Sequence, residues 1–81
     1  MITVLFFGRL GDASETLRIE LPANVKDVDA LTTWLSEQNP TLGIELEKAG
    51  NRTAVNKVII SENTLLNEGD EIAYMSPLSG G

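Results

Sequence analysis

The chain has 81 residues, a formal net charge of −6, and neither cysteine nor histidine. That composition describes one domain with a small core; it excludes disulfides, thiol nucleophiles, the usual zinc and iron–sulfur ligands, and imidazole acid–base chemistry. The acidic balance argues against nucleic acid, which needs a basic footprint, and against anionic membrane surfaces.

The same charge suits partners that offer basic grooves, where attraction raises the association rate. It serves equally to keep a small domain soluble. No stretch has the Asp-rich spacing of an EF-hand loop. The opening apolar run has no basic segment before it and no small-residue cleavage site after it, so no signal peptide is expected. No apolar stretch approaches the roughly 20 residues of a membrane span. Cytoplasm is therefore the expected compartment, and Asn51-Arg52-Thr53 is read as a chance match to the glycosylation pattern.

Ile2 to Gly8 is rich in β-branched and aromatic residues and predicts a strand, with Ile2, Val4 and Phe6 on one face and Thr3, Leu5 and Phe7 on the other. Leu10 to Ser14 reads as a turn. Thr16 to Leu21 alternates, with Leu17, Ile19 and Leu21 on the apolar side, and predicts a half-buried strand stopped by Pro22. Two adjacent strands with a short connection suggest an antiparallel hairpin.

Val28 to Gln38 has helical spacing through Val28, Leu31 and Leu35, with Asp27 as N-cap and Asp29 at the positive end of the dipole. Pro40 ends it by disfavouring helix at Asn39. Trp34 widens the apolar stripe and is expected to pack against the sheet. Thr41 to Gly50 fits either a short helix through Leu42, Ile44 and Leu46 or a packed loop.

Thr53 to Val55 and Val58 to Ile60 read as strands around a tight turn at Asn56-Lys57. Asn67-Glu68-Gly69-Asp70 is a turn, and Glu71 to Met75 the last strand, with Ile72 and Tyr74 opposite Ala73 and Met75. This order predicts an α+β roll, a mixed sheet of about five strands on one main helix. One helix leaves the second face of the sheet open. If the first and last strands are central neighbours, Phe7, Ile59 and Met75 form an exposed apolar patch there, the mark of a binding surface.

Residues 1–76 are read as the domain and Pro77-Leu78-Ser79-Gly80-Gly81 as its tail. Five extended residues span roughly 17 Å, enough to enter another protein's active site. Pro77 restrains the root, and the glycines have no side chain to obstruct a narrow slot. Gly81 is read as the chain's end, offering a free carboxylate. Ser76 and Ser79 lack a histidine to activate them. The pairs Asp70–Glu71 and Glu45–Glu47 are read as solvated turn and loop charges rather than catalytic carboxylates.

Together, Ala54-Val55-Asn56, Leu66-Asn67-Glu68-Gly69-Asp70-Glu71-Ile72-Ala73, the terminal Pro77 to Gly81 and the opening Val4-Leu5-Phe6-Phe7 resemble the small, sulfur-carrier subunits of molybdopterin synthase. These are ubiquitin-like β-grasp proteins. That family often carries an aromatic residue and two prolines before the tail, where this chain has Met75-Ser76-Pro77.

The resemblance implies a cycle. An E1-like adenylyltransferase uses Mg-ATP to adenylate Gly81, and a sulfur donor then leaves a thiocarboxylate there. The tail enters the large synthase subunit and gives its sulfur to cyclic pyranopterin monophosphate, in an assembly of two small and two large subunits. Gly81 is the reacting residue and Gly80 gives clearance. Phe7, Ile59, Met75, Pro77, Leu78 and Ser79 are the expected partner contacts. The chain itself is expected to bind no cofactor and to supply no catalytic side chain. Rival readings are a sulfur carrier for thiamine synthesis or tRNA thiolation, and an unmodified ubiquitin-like interaction module.

Overall fold

The structure, a computed structural model, describes residues 1–77. The first strand, β1 (Ile2–Phe7), buries Ile2, Val4 and Phe6 and turns Thr3, Leu5 and Phe7 the other way, as its alternation predicts. The last, β5 (Glu71–Met75), buries Ile72 and Tyr74. The two run parallel in the middle of the sheet, with Val4 opposite Ile72, Phe6 opposite Tyr74 and Phe7 opposite Met75. β2 (Leu17–Ile19) pairs antiparallel with β1 on one side. On the other side β3 (Arg52–Val55) pairs antiparallel with β5, and β4 (Val58–Ile60) with β3. The strand order is β2-β1-β5-β3-β4, the expected mixed five-stranded sheet.

One face of the sheet is covered. The main helix, α2 (Val28–Gln38), buries Val28, Leu31 and Leu35 against Ile2, Val4, Phe6, Ile72 and Tyr74. Its start is fixed by Asp27, whose carboxylate accepts the Ala30 amide at 2.8 Å, a cap worth about 1 kcal/mol. Trp34 is half-buried at the rim of the same core.

The segment left between helix and loop is a helix, α3 (Pro40–Leu46). Asn39 caps it by accepting the Leu42 amide at 3.1 Å, and Pro40 occupies the first turn, where a missing N–H costs nothing. Of the three apolar residues expected to define it, Leu42 is buried and Leu46 half-buried, whereas Ile44 faces solvent.

Two expectations are corrected. Leu10 to Ser14 is not a simple turn: Arg9–Ala13 forms a short helix, α1, because Leu10 is drawn fully into the core. The strand expected over Thr16 to Leu21 is regular only at Leu17–Ile19, since it pairs with β1 through three residues before the chain turns away. Leu21 still packs against the core from beyond the strand's end.

Candidate functional site

The uncovered face of the sheet can be written out from the register. One row crosses it as Phe7, Met75 and Arg52, and the next as Leu5, Ala73, Ala54 and Ile59. A third row holds Arg18, Thr3 and Glu71. Neighbouring strands lie about 4.8 Å apart, so each row is a continuous line of side chains. Phe7 is 50% exposed and Ile59 57% exposed, while Met75 is half-buried between its neighbours. Ala73 and Ala54 form a low floor between Leu5 and Ile59. The structure thus places Phe7, Met75 and Ile59 on one face.

A groove of about 490 Å³ opens beside this patch, lined by Gly50, Arg52, Ile59, Met75, Ser76 and Pro77. The outward charges on the strands are Arg18, Arg52 and Glu71, so this face is slightly cationic on a chain of net charge −6. The acidic surplus lies elsewhere, which sequence alone did not reveal.

The chain leaves β5 at this same end of the sheet. The Ser76 amide donates to the Phe7 carbonyl (3.3 Å), and Ser76 Oγ donates to the same carbonyl (3.3 Å) while accepting the Arg9 amide (2.9 Å). Gly8, at φ 68°, makes room for Ser76: a Cβ there would collide with Ser76 Oγ. Gly50, at φ 89°, does the same for Pro77, since a Cβ would stand 2.8 Å from its ring. Gly8, at φ 68° and ψ −139°, lies in a region essentially confined to glycine, and at both positions the missing Cβ leaves the space. Sequence reading missed Gly8, Gly50 and Arg52. The one available signal was glycine at two segment ends, which does not say what sits opposite.

Pro77 is exposed at the edge of the groove. The predicted tail residues Leu78, Ser79, Gly80 and Gly81 lie outside the described residues.

Asp70 was expected as a solvated turn charge, and here the reading is corrected. It is only 9% exposed. Its carboxylate accepts Asn56 Nδ2 (2.9 Å) and the Asn67 amide (2.8 Å), while Asn56 Oδ1 accepts the Glu71 amide (2.9 Å). These bonds tie the β3–β4 turn to the start of β5, so Asp70 is buried because it is fully partnered. Glu45 accepts Lys48 Nζ at 2.7 Å and is half-buried; Glu47 is exposed. Among the described residues no group of three or more carboxylates is placed to hold a metal ion. Among the described residues no helix is long and apolar enough to cross a membrane.

Residues 4–81 match the ThiS family. This chain belongs to the ThiS family. Among relatives, the molybdopterin synthase sulfur carrier subunit of Escherichia coli is 33% identical over 81 residues, covering the whole of both chains. That of Mycobacterium tuberculosis is 34% identical over 82 residues, covering 99% of this chain and 96% of its own. In structure, SAMP1 from Haloferax volcanii superposes with a TM-score of 0.80 over 99% of this chain and 98% of its own, at 20% identity, a likeness of fold. A complex of subunits 1 and 2 of molybdopterin-converting factor from Helicobacter pylori contains a chain with a TM-score of 0.69 and 28% identity, covering 99% of this chain and 97% of that one. The ThiS-family fold is the expected ubiquitin-like β-grasp, and the match runs the length of the sequence.

Proposed function

We propose that this chain is the sulfur-carrier subunit of a molybdopterin synthase. The full-length match to relatives of that name carries the reading. The placement of an apolar face at the end of the strand that leads to Gly80-Gly81 supports it.

The chemistry follows from the carboxylate. As an anion it repels nucleophiles, so it needs a leaving group. The Gly81 carboxylate attacks the α-phosphorus of Mg-ATP on an E1-like adenylyltransferase, releasing pyrophosphate. A sulfide equivalent from a donor then displaces AMP. The resulting thiocarboxylate is ionised at neutral pH and its sulfur is a soft nucleophile, by the logic of thiolates. Docked through Phe7, Met75 and Ile59, with Pro77, Leu78 and Ser79 leading into the partner, the tail delivers that sulfur to cyclic pyranopterin monophosphate in the large subunit: the sulfur bonds to a substrate carbon, and water then cleaves the acyl–sulfur bond and restores the Gly81 carboxylate. Two small and two large subunits form the working heterotetramer. Gly80 and Gly81 let the partners close on the acyl carbon. Acid, base and metal come from the partners, in keeping with a chain that has no histidine or cysteine. The compartment is the cytoplasm.

Intact mass of the chain from its native host tests this directly. The expected result is a species heavier by one sulfur-for-oxygen exchange, mapped to the C-terminal peptide. Deleting Gly81, or adding one residue after it, should abolish sulfur transfer. A carboxylate that stays unmodified in the host and after incubation with activating enzyme, ATP and sulfur donor would leave the interaction-module reading. A carrier for thiamine synthesis or tRNA thiolation would be loaded but inactive with the large synthase subunit.

A further inference from the structure

Met75 ends the last strand, yet the next two residues are still held by the fold. Ser76 is bound through both its amide and its hydroxyl to Phe7 and Arg9, which flank Gly8. The Arg9 amide belongs to the first turn of α1, where backbone donors have no partner within the helix. No side chain of its own segment caps that helix, and Ser76 Oγ, 67 positions away, takes the role. Pro77 then rests on Gly50, which approaches from the loop before β3 on the other side. Two glycines at positive φ therefore receive two successive residues of the departing chain.

Neither contact adds apolar area to the core, and neither belongs to the exposed patch. Their common effect is directional. Ser76 fixes the chain against β1 and Pro77 fixes it against the α3–β3 loop, so the last two described residues are held at successive points beside Phe7 and Met75. A chain whose face docks through those two residues and whose end must reach a buried acceptor gains from that restraint, because orientation settled before docking need not be lost on docking.

We propose that Ser76 is a positioning residue, and that its clasp on Gly8-Arg9, with the seat of Pro77 on Gly50, sets the direction in which the tail enters the partner. This rests on the sulfur-carrier reading. It assigns to a serine, through hydrogen bonds, a restraint that proline supplies through its ring.

The test uses the full chain bearing a chemically installed C-terminal thiocarboxylate, mixed with saturating large subunit and cyclic pyranopterin monophosphate. Ser76→Ala should lower the single-turnover rate about five- to twentyfold, the loss expected from freeing one or two backbone residues that must be ordered again. Its Kd for the large subunit should change less than threefold, because the face is intact. Ser76→Thr, which keeps the hydroxyl, should recover most of the rate. In the free chain, amide hydrogen exchange at Arg9 should quicken in Ser76→Ala. An unchanged rate in Ser76→Ala overturns the proposal, as does a loss of rate matched by an equal loss of affinity, which would mark a general structural defect. Failure of the wild-type thiocarboxylate to transfer sulfur at all would instead remove the carrier reading, with Arg9 exchange still reporting the clasp.

Discussion

Tyr74 brings a phenol into a core otherwise made of aliphatic side chains and Phe6. Its ring stacks on Phe6, centroids 5.7 Å apart and planes 10° from parallel. Its hydroxyl meets Thr32 Oγ1 at 2.9 Å. Thr32 already donates to the Val28 carbonyl, so the phenol is the donor and Thr32 the acceptor. One hydrogen bond thus satisfies the buried oxygen and joins the central strand to α2. Burial pushes the Tyr74 pKa up to about 12; Thr32, whose hydroxyl can turn to donate to a phenolate, opposes that shift, and the nearby Asp29 charge adds to it. Below pH 10, the ordinary tyrosine value, the phenol is protonated folded and unfolded alike, and its contribution is complete. Between about pH 10 and 12 the unfolded chain releases its proton first, so stability falls as pH rises. The loss by pH 12 is on the order of 2–3 kcal/mol. Urea unfolding of wild type and Tyr74→Phe from pH 9 to 12 isolates it, since this is the chain's only tyrosine. The difference between the two should shrink through that window; a constant difference would show that the phenol does not hold its proton in the fold.

At the scale of elements, the β3–β4 hairpin turns through Asn56 and Lys57, both left-handed at φ 51° and 71°. Such a two-residue turn prefers Asn followed by Gly. Asn56 is well suited, because its side chain also serves Asp70 and Glu71. Lys57 bears a Cβ where glycine would carry none. Lys57→Gly should therefore stabilise the chain by about 0.5–1 kcal/mol, read as a higher urea midpoint at unchanged slope. That turn was legible in the sequence, because strand-like runs flank two residues tolerant of a tight reversal. The α2 helix was legible for the same kind of reason: cap, spacing and stop are all local. The α3 helix carried its signals too, Asn39 and Pro40, but its apolar residues alternate and only some face inward. The α1 helix could not be read. It has five residues, a glycine at its centre and one buried side chain, and its cap comes from Ser76 at the far end of the chain. Asp70 was misread on the same ground. Its Asn56 partner lies 14 positions away, brought within reach only when β3 pairs with β5.

For the molecule as a whole, the parallel pairing of first and last strands decides which side chains the open face carries. It puts β1 and β5 at the centre, brings Phe7 beside Met75, and starts the tail where the apolar rows end. Helices α2 and α3 cover one side only, so Phe7 and Ile59 stay exposed on a domain too small to cover them. If this face docks, its slightly cationic rows, with Arg52 beside Met75 and Arg18 at the far edge, suit a socket apolar at its centre and acidic at its rim. The expectation of a basic groove was drawn from net charge, and the acidic surplus behind that charge lies off this face. If the face is a docking surface, charge placed on it will damage binding far more than folding. Phe7→Asp or Ile59→Asp should weaken binding to the large subunit at least about tenfold, as loss of an apolar anchor does. Each should cost no more than about 1 kcal/mol of stability, since both side chains already meet water over half their surface. The control lies on the opposite side of the same sheet. Ile72 is fully buried, and Ile72→Asp should prevent folding altogether, because an unpaired carboxylate would replace a core side chain. Titration calorimetry and urea unfolding on the three variants separate the faces. If Phe7→Asp unfolds the chain while leaving residual folded protein with full affinity, the roles of the two faces are reversed, and docking must be sought on the helical side.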